Sequence, residues 1–526
     1  MARHHCPVNS HGITASIEPL KIMENQIFFW GIILFLIATL AIGLWAAKQI
    51  KGDSVNYLVA GRGLVLPLAA ATLMAQSVDS NATLGNMDLA AAFGFWAGAS
   101  LPLGLALCLF LTALFFAKPM NRLGLITLPD FYRVKYNRTT EWIASVIMVL
   151  SFSFLLAGNL VAGGFLFQSF LGTTYTLGVI LIALVVVIYT ASGGLFAVAY
   201  TDAIQVAIAL IGTLALLGFL AFNFDFTIPP GMGPFDLEQL TDPAAGAAIN
   251  WATLLALGLG DIVAIDFMAR VFAADSPETA QKACFISSAG TVIIGVPFSM
   301  MALAAPQILA TAGVAIDADT PLLFSLINGV APPALGLLVI MAILSASLST
   351  ADGAILGTSS VIAHNIMGIR HDNYTTSGSR LLALTRTMAV VITVMGVIFA
   401  VLVPQTGILL LLAFDLGFAG LLIPLVGGLY WSKSTAEGAL ACIIVGTLTR
   451  LGFFVLMPTM FGADNTLLYL ENPLLTADFD GFPTLISPLV GLVAFVGVSL
   501  LTGGSKGQTQ AMAEESQEAI SATSDS

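Results

Sequence analysis

Apolar residues in this chain come in runs of about 20, the length a helix needs to cross a hydrocarbon core of roughly 30 Å. Thirteen such windows fall near 27–47, 64–85, 89–117, 141–170, 174–192, 203–223, 248–272, 284–311, 331–366, 381–403, 407–430, 436–458 and 484–502. No window alternates apolar and polar at every second position. A chain crossing lipid must satisfy its backbone internally, so the pattern predicts an all-α polytopic protein and not a barrel. Two windows interrupt their own pattern. In the second, LAAATLMAQSVDSNATLGNMD, the apolar run stops at Gln76 and gives Ser77, Asp79, Ser80, Asn81 and Thr83 before it resumes. In the seventh, LLALGLGDIVAIDFMARVFAAD, Gly258 and Gly260 loosen the helix just before Asp261, with Asp266 a little over one turn on. Ser, Asp and Asn offer the backbone competing hydrogen bonds, so unwound segments are predicted at both places. The two spans lie five apart, as the first members of two five-helix repeats would, and paired broken helices are the best sequence pointer to a transporter site.

The ninth window supplies polar groups that could face those breaks. Within Ser345–Asn365, Ser349 and Thr350 stand beside an ionisable Asp352 in an otherwise apolar span. A carboxylate at that depth is expensive unless it faces protein, water or an ion. Ala346, Ser349 and Thr350 share one helical face at i, i+3 and i+4, so one carbonyl and two hydroxyls can converge on a hard cation. Oxygen donors without thiolate or imidazole suit an alkali ion, not a transition metal. The competing reading is that both hydroxyls bond carbonyls of their own helix, as is common in membrane helices. Asp352, one turn beyond Ser349, shifts the balance toward an ion.

Composition agrees with the pattern: 58% of the residues are hydrophobic and 9% charged, far from a soluble chain. The cations are asymmetric. Lys48, Lys51, Arg62, Lys118, Arg122, Arg133, Lys135, Arg138, Lys282, Arg370, Arg380, Lys433 and Lys506 all follow odd-numbered windows, and the even-numbered loops carry none. Basic loops stay on the cytoplasmic side, which places the N-terminus outside and the C-terminus inside a cell membrane. Residues 1–26 then form an extracellular or periplasmic extension, 27–502 the transmembrane domain, and 503–526 a polar, disordered cytoplasmic tail. The net charge of −12 comes mostly from outer loops and tail, which argues against nucleic-acid binding. Three of the four cysteines fall in windows without metal-ligand spacing. Nothing in the sequence has the flanks of a catalytic nucleophile, metal cluster or phosphate loop, so no enzyme is predicted. Of the remaining charges, Arg386 can snorkel to the surface, Arg450 has no evident partner, and Asp415 could bond an unwound backbone or a solute. Phe93, Trp96 and Phe414 could form a lid or simply pack.

Six motifs in order give the chain its resemblance to the sodium:solute symporter family: YLVAGRGL (57–64), ITLPDFYRVKY (126–136), SGGLFAVAYTDAIQ (192–205), ARVFAADS (269–276), LSTADGAILGTSS (348–360) and GLLIPLVGGLYW (420–431). The resemblance implies a LeuT-type fold with a five-plus-five inverted repeat core, here about 64–223 and 248–430. It implies a sodium-coupled symporter, with sodium as coupling ion and no other cofactor. By position, the family's sodium site falls on the carbonyls of Ala75, Val78 and Ala346 and the hydroxyls of Ser349 and Thr350. Members that couple a second sodium use the Asp of the YTDxxQ motif, here Asp202, and a hydroxyl two residues after the Ser/Thr pair; this chain has Asp352 there. Two carboxylates could hold that ion more tightly, or one could take a proton instead. Asp202 reads equally as a helix N-cap after Gly193 and Gly194. The solute would meet Ser77, Asp79, Asn81 and Asp261, and the absence of Lys from the core spans favours an amino acid or amine over a sugar or monocarboxylate. A half-helix could still hold a carboxylate, and either aspartate could pair with Arg270. A sodium-independent uniporter or channel, or a transporter-like sensor, is the rival reading. The sequence sets neither stoichiometry nor oligomeric state.

Overall fold

The computed structural model describes residues 17–316, 320–370, 377–405, 408–457, 459–460, 463–464, 469–475 and 479–503. Most of the expected N-terminal extension and nearly all of the tail lie outside these residues. Its principal helices are α1 (Ile17–Ala46), α2 (Leu66–Ser77), α3 (Asn86–Phe93), α4 (Phe95–Leu111), α5 (Pro129–Lys135), α6 (Arg138–Leu171), α7 (Tyr175–Asn223) and α8 (Ala247–Leu255). The second half holds α9 (Ile265–Ala273), α10 (Pro277–Thr311), α11 (Pro333–Val361), α12 (Ser377–Leu402), α13 (Ile408–Gly420), α14 (Leu422–Tyr430), α15 (Ala436–Leu456) and α16 (Phe482–Thr502). A two-residue antiparallel pair, Thr459–Met460 with Ala463–Asp464, lies between the last two.

Among the described residues nine helices are long and apolar enough to cross a membrane, or up to 11 if each of two bent pairs is one span. The count of thirteen is therefore not reproduced, for two physical reasons. The second window is cut short at Ser77, so no piece of it reaches spanning length. The fifth and sixth windows abut in α7, 49 residues long, whose two helical segments meet at a non-helical Gly194 (φ 52°, ψ −149°) with no loop between them, so they count as one element. A side chain on Gly194 would come within 2.4 Å of the Tyr57 carbonyl, so the kink lets two segments pack at a distance only glycine allows. The seventh window bends by 48° between Val263 and Ile265, and the eleventh by 42° between α13 and α14.

α11 runs through the interior against α6 and α7, and α2 packs on α7 and α10. The two broken windows are tied together at the basic end of the molecule. Leu64 donates its N–H to the Ala273 carbonyl at 3.0 Å and accepts from Asp275 N–H at 3.1 Å, while Asn121 Nδ2 donates to the Val271 and Ala274 carbonyls. The start of α2 and the end of α9 are thus held as one body.

Candidate functional site

The centre of the molecule lies where the end of α2 meets the middle of α11. α2 stops at Ser77, and Val78 (φ −96°, ψ 70°) leaves the helical region before a helical stretch resumes through residues 80–93. Ser349 Oγ donates to the Ala75 carbonyl at 3.0 Å and lies 3.2 Å from the Ala346 carbonyl. Thr350 Oγ1 donates to the Gln76 carbonyl at 3.4 Å, and Gln76 Nε2 donates back to the Ser349 carbonyl. Gly353 makes this approach possible, because a Cβ there would sit 2.1 Å from Gln76 Oε1. Three of the five expected sodium carriers, Ala75, Ala346 and Ser349, are in direct contact, and Thr350 meets the carbonyl next to that of Ala75. Val78 stands at the break, and the Ala82 N–H that would close its helical turn is taken by the Asp79 carboxylate. None of the five is more than 3% exposed. Their donors are carbonyl and hydroxyl oxygens, the set a dehydrated alkali ion accepts.

Beside this junction lie Asp202 on α7 and Asp352 on α11, both fully buried. Asp352 accepts from the Tyr189 hydroxyl at 2.7 Å. Asp202 accepts from Thr72 Oγ1 and lies 3.5 Å from Arg270 Nη2. Asp202 is therefore no N-cap: α7 restarts at Gly194, and Asp202 is already two turns inside it. Arg270 is fully engaged, with Nε donating to Thr72 Oγ1 at 3.0 Å and Nη1 to the Asp266 carbonyl at 3.0 Å.

Of the four expected solute residues, Asp79 and Asn81 bond each other and Ser77 turns to α10. Ser77 shares a hydrogen bond with Thr291 on α10 and donates to the Met74 carbonyl at 2.9 Å. Asp79 accepts from Ala82 N–H and from Asn81 Nδ2, the latter at 3.1 Å. Asp261, 1% exposed, has neither carboxylate oxygen hydrogen-bonded. A crevice of about 10 Å³ lined by Ile265, Asp266, Arg270, Gly353 and Ser360 leads from the basic end toward this centre. That is room for about one water.

Two charge clusters went unread in the sequence. Asp415 accepts from Arg450 and from Thr484 Oγ1 at 3.0 Å, joining α13 to α15 and α16. Its expected bond to unwound backbone or solute is replaced by this pairing, whose members are too far apart in sequence for any periodicity to connect. At the basic end, Asp130 on α5 accepts from Asn365 Nδ2 and Arg370 Nη1, each at 2.9 Å, and lies 3.2 Å from His364 Nε2. Glu141 accepts from Arg138 at 2.8 Å, Asn365 at 2.8 Å and Arg370. Burial alone would raise Asp130, but the His364 hydrogen bond and charge, with Arg370, hold its carboxyl well below the usual carboxylate range. The nearby hydroxyls of Tyr132 and Tyr136 donate to the Leu421 and Pro424 carbonyls at 2.9 and 2.6 Å, bracing the α13–α14 bend. The motif ITLPDFYRVKY was the available signal. Of the expected lid residues, Trp96 is fixed by donating Nε1 to the Pro234 carbonyl at 3.2 Å. Arg386 donates to the Ser192 carbonyl at 3.1 Å and lies over the Tyr57 ring.

Residues 57–446 match the sequence profile of the sodium:solute symporter family. The osmoregulated proline transporter OpuE of Bacillus subtilis (strain 168) is 28% identical over 435 residues, 80% of this chain and 87% of that protein. The high-affinity choline transporter 1 of Torpedo marmorata is 25% identical over 445 residues, covering 80% and 75%. The sodium/pantothenate symporter of Haemophilus influenzae is 26% identical over 447 residues, covering 81% and 90%. Among solved structures, a sodium-coupled sialic acid symporter in a substrate-bound outward-open state superimposes with a TM-score of 0.72 at 18% identity, over 90% of this chain and 97% of that one. The likeness to that structure is one of fold, the LeuT type.

Proposed function

The chain belongs to the sodium:solute symporter family, and from that premise we propose that it is a sodium-coupled importer of a small polar organic solute, an amino acid or amine, working by alternating access in a cell membrane. The observation that carries the reading is the Ser349 hydroxyl held between the Ala75 and Ala346 carbonyls, with the adjacent Thr350 hydroxyl on the Gln76 carbonyl, at the break in α2. Sodium at this junction would hold the broken helix against α11. Solute would bind beside the unwound segments at Asp79, Asn81 and Asp261, and each ligand would tighten the other by the same factor. Asp202 and Asp352 are the place for a second coupling ion. With the basic loops cytoplasmic, the narrow crevice at Asp266 and Arg270 is the inner end of the path.

The test is uptake into proteoliposomes. The purified protein is screened by thermal stability against amino acids, amines, monocarboxylates and sugars in sodium and in potassium, and hits are followed as labelled solutes. Accumulation driven by an inward sodium gradient supports the proposal. Stabilisation equally strong in potassium would favour a uniporter or sensor and remove sodium from Ser349 and Thr350.

A further inference from the structure

Both helix N-termini that open onto the centre are already filled by carboxylates of this chain. Where the second span resumes, Asp79 accepts from Ala82 N–H and Asn81 Nδ2. Where the seventh span resumes as α9, Asp266 Oδ1 accepts from Phe267 N–H at 2.7 Å. A half-helix N-terminus is where a transporter of this architecture would receive an anionic group of its solute. Here an incoming carboxylate would meet a carboxylate in either place.

Asp261 is the opposite case. It sits in the break just before α9, 1% exposed, with both oxygens unpaired. Buried polar atoms nearly always have partners, and an ionised carboxylate with none is the costliest exception. Arg270 does not relieve it, being turned to Thr72, Asp202 and the Asp266 carbonyl. No salt bridge reaches Asp261 among the described residues. The central cluster holds five carboxylates, Asp79, Asp202, Asp261, Asp266 and Asp352, against the single guanidinium of Arg270.

Resting on the symport reading, we propose that the solute is a net-positive organic ammonium without a carboxylate, and that Asp261 receives its cationic head. Asp79 and Asp266 hold the two helix N-termini closed to zwitterions and add to the negative field. Gly260, next to Asp261, packs against the backbone of α13, where a Cβ would lie 2.5 Å from the Phe414 carbonyl oxygen and 2.9 Å from the Phe418 Cβ.

The experiment uses the full-length protein in detergent with sodium, and three matched pairs that differ by a carboxylate: choline and glycine betaine, ethanolamine and glycine, pyrrolidine and proline. Thermal unfolding is read against concentration. At least one cation stabilises the protein, and its zwitterionic counterpart needs at least tenfold more for the same shift. Asp261→Asn weakens the cation response at least tenfold and Asp261→Glu keeps part of it, while a retained sodium-dependent shift shows that both variants are folded. If Asp261→Asn does not fold, the preference of the unsubstituted protein within the pairs decides alone. A stronger response to any zwitterion, sugar or monocarboxylate, no response to any cation, or an unchanged response in folded Asp261→Asn would overturn the proposal. A cation response equal in sodium and potassium would sink symport while leaving Asp261 assigned; a sodium shift without any cation response would do the reverse.

Discussion

At the basic end of the molecule, Asp130 and Glu141 are buried, and each is met by Arg370 together with Asn365. At the centre, five carboxylates have one guanidinium between them, and Asp261 has no partner at all. The difference separates architecture from function. A network whose carboxylates are all paired rigidifies and fixes one arrangement of α5, α6 and the end of α11. An under-compensated one stays poised for a ligand that brings positive charge, and strongly perturbed groups of that kind cluster at functional sites. Changes at the centre should therefore alter transport more than stability, and changes at the basic end should do the opposite.

The largest effect is expected from Asp352→Asn, which changes the buried carboxylate that accepts from Tyr189. Uptake should fall at least tenfold or change its ion-to-solute ratio, measured from sodium and solute tracer fluxes together. Wild-type flux and stoichiometry would make Asp352 structural and break the contrast. Next, Ser349→Ala or Thr350→Ala deletes one oxygen from the junction with α2. A hydrogen bond or ligand contact to a charged group contributes about 1.5–3 kcal/mol, so half-saturation of uptake should move to roughly tenfold or more higher sodium. Unchanged sodium dependence would remove these residues from the site.

Smaller effects belong to the basic end. Arg370→Ala leaves Asp130 and Glu141 buried with less compensation; with Arg370 about a third exposed, the loss should be about 1–3 kcal/mol, below that for a fully buried pair. Differential scanning fluorimetry should show a lower unfolding temperature while sodium affinity holds. The smallest is a pH effect. Asp130 is held below its ordinary range in the folded state, so its contribution to stability is complete above about pH 4 and fades as pH falls toward the folded value. Asp130→Asn should flatten that acid limb. An unflattened limb would place acid sensitivity elsewhere.

What the sequence disclosed follows from what periodicity can encode. The breaks at Ser77–Asp79 and Gly258–Asp261 were legible because helix-loosening residues interrupt apolar runs. The shared face of Ala346, Ser349 and Thr350 was legible because helical spacing fixes it. Partners across helices were not. Arg450 and Asp415 are 35 residues apart on different spans, and Asp202 finds Thr72 130 residues away. The span count was not reproduced where two windows abut: Gly194 leaves the helical region, yet the two segments of α7 follow one another without a loop, and Asp202 lies two turns beyond Gly194 instead of at a helix start.

The account rests on sodium binding at the α2–α11 junction, and thermal unfolding in sodium against equimolar potassium tests that without knowledge of the solute. Anything that binds only the folded state raises its stability with concentration. Sodium should raise the unfolding temperature of the unsubstituted protein dose-dependently, and Ser349→Ala with Thr350→Ala should need at least tenfold more sodium for the same rise. Equal unfolding in the two salts, or an unchanged sodium response in the doubly substituted protein, would contradict it.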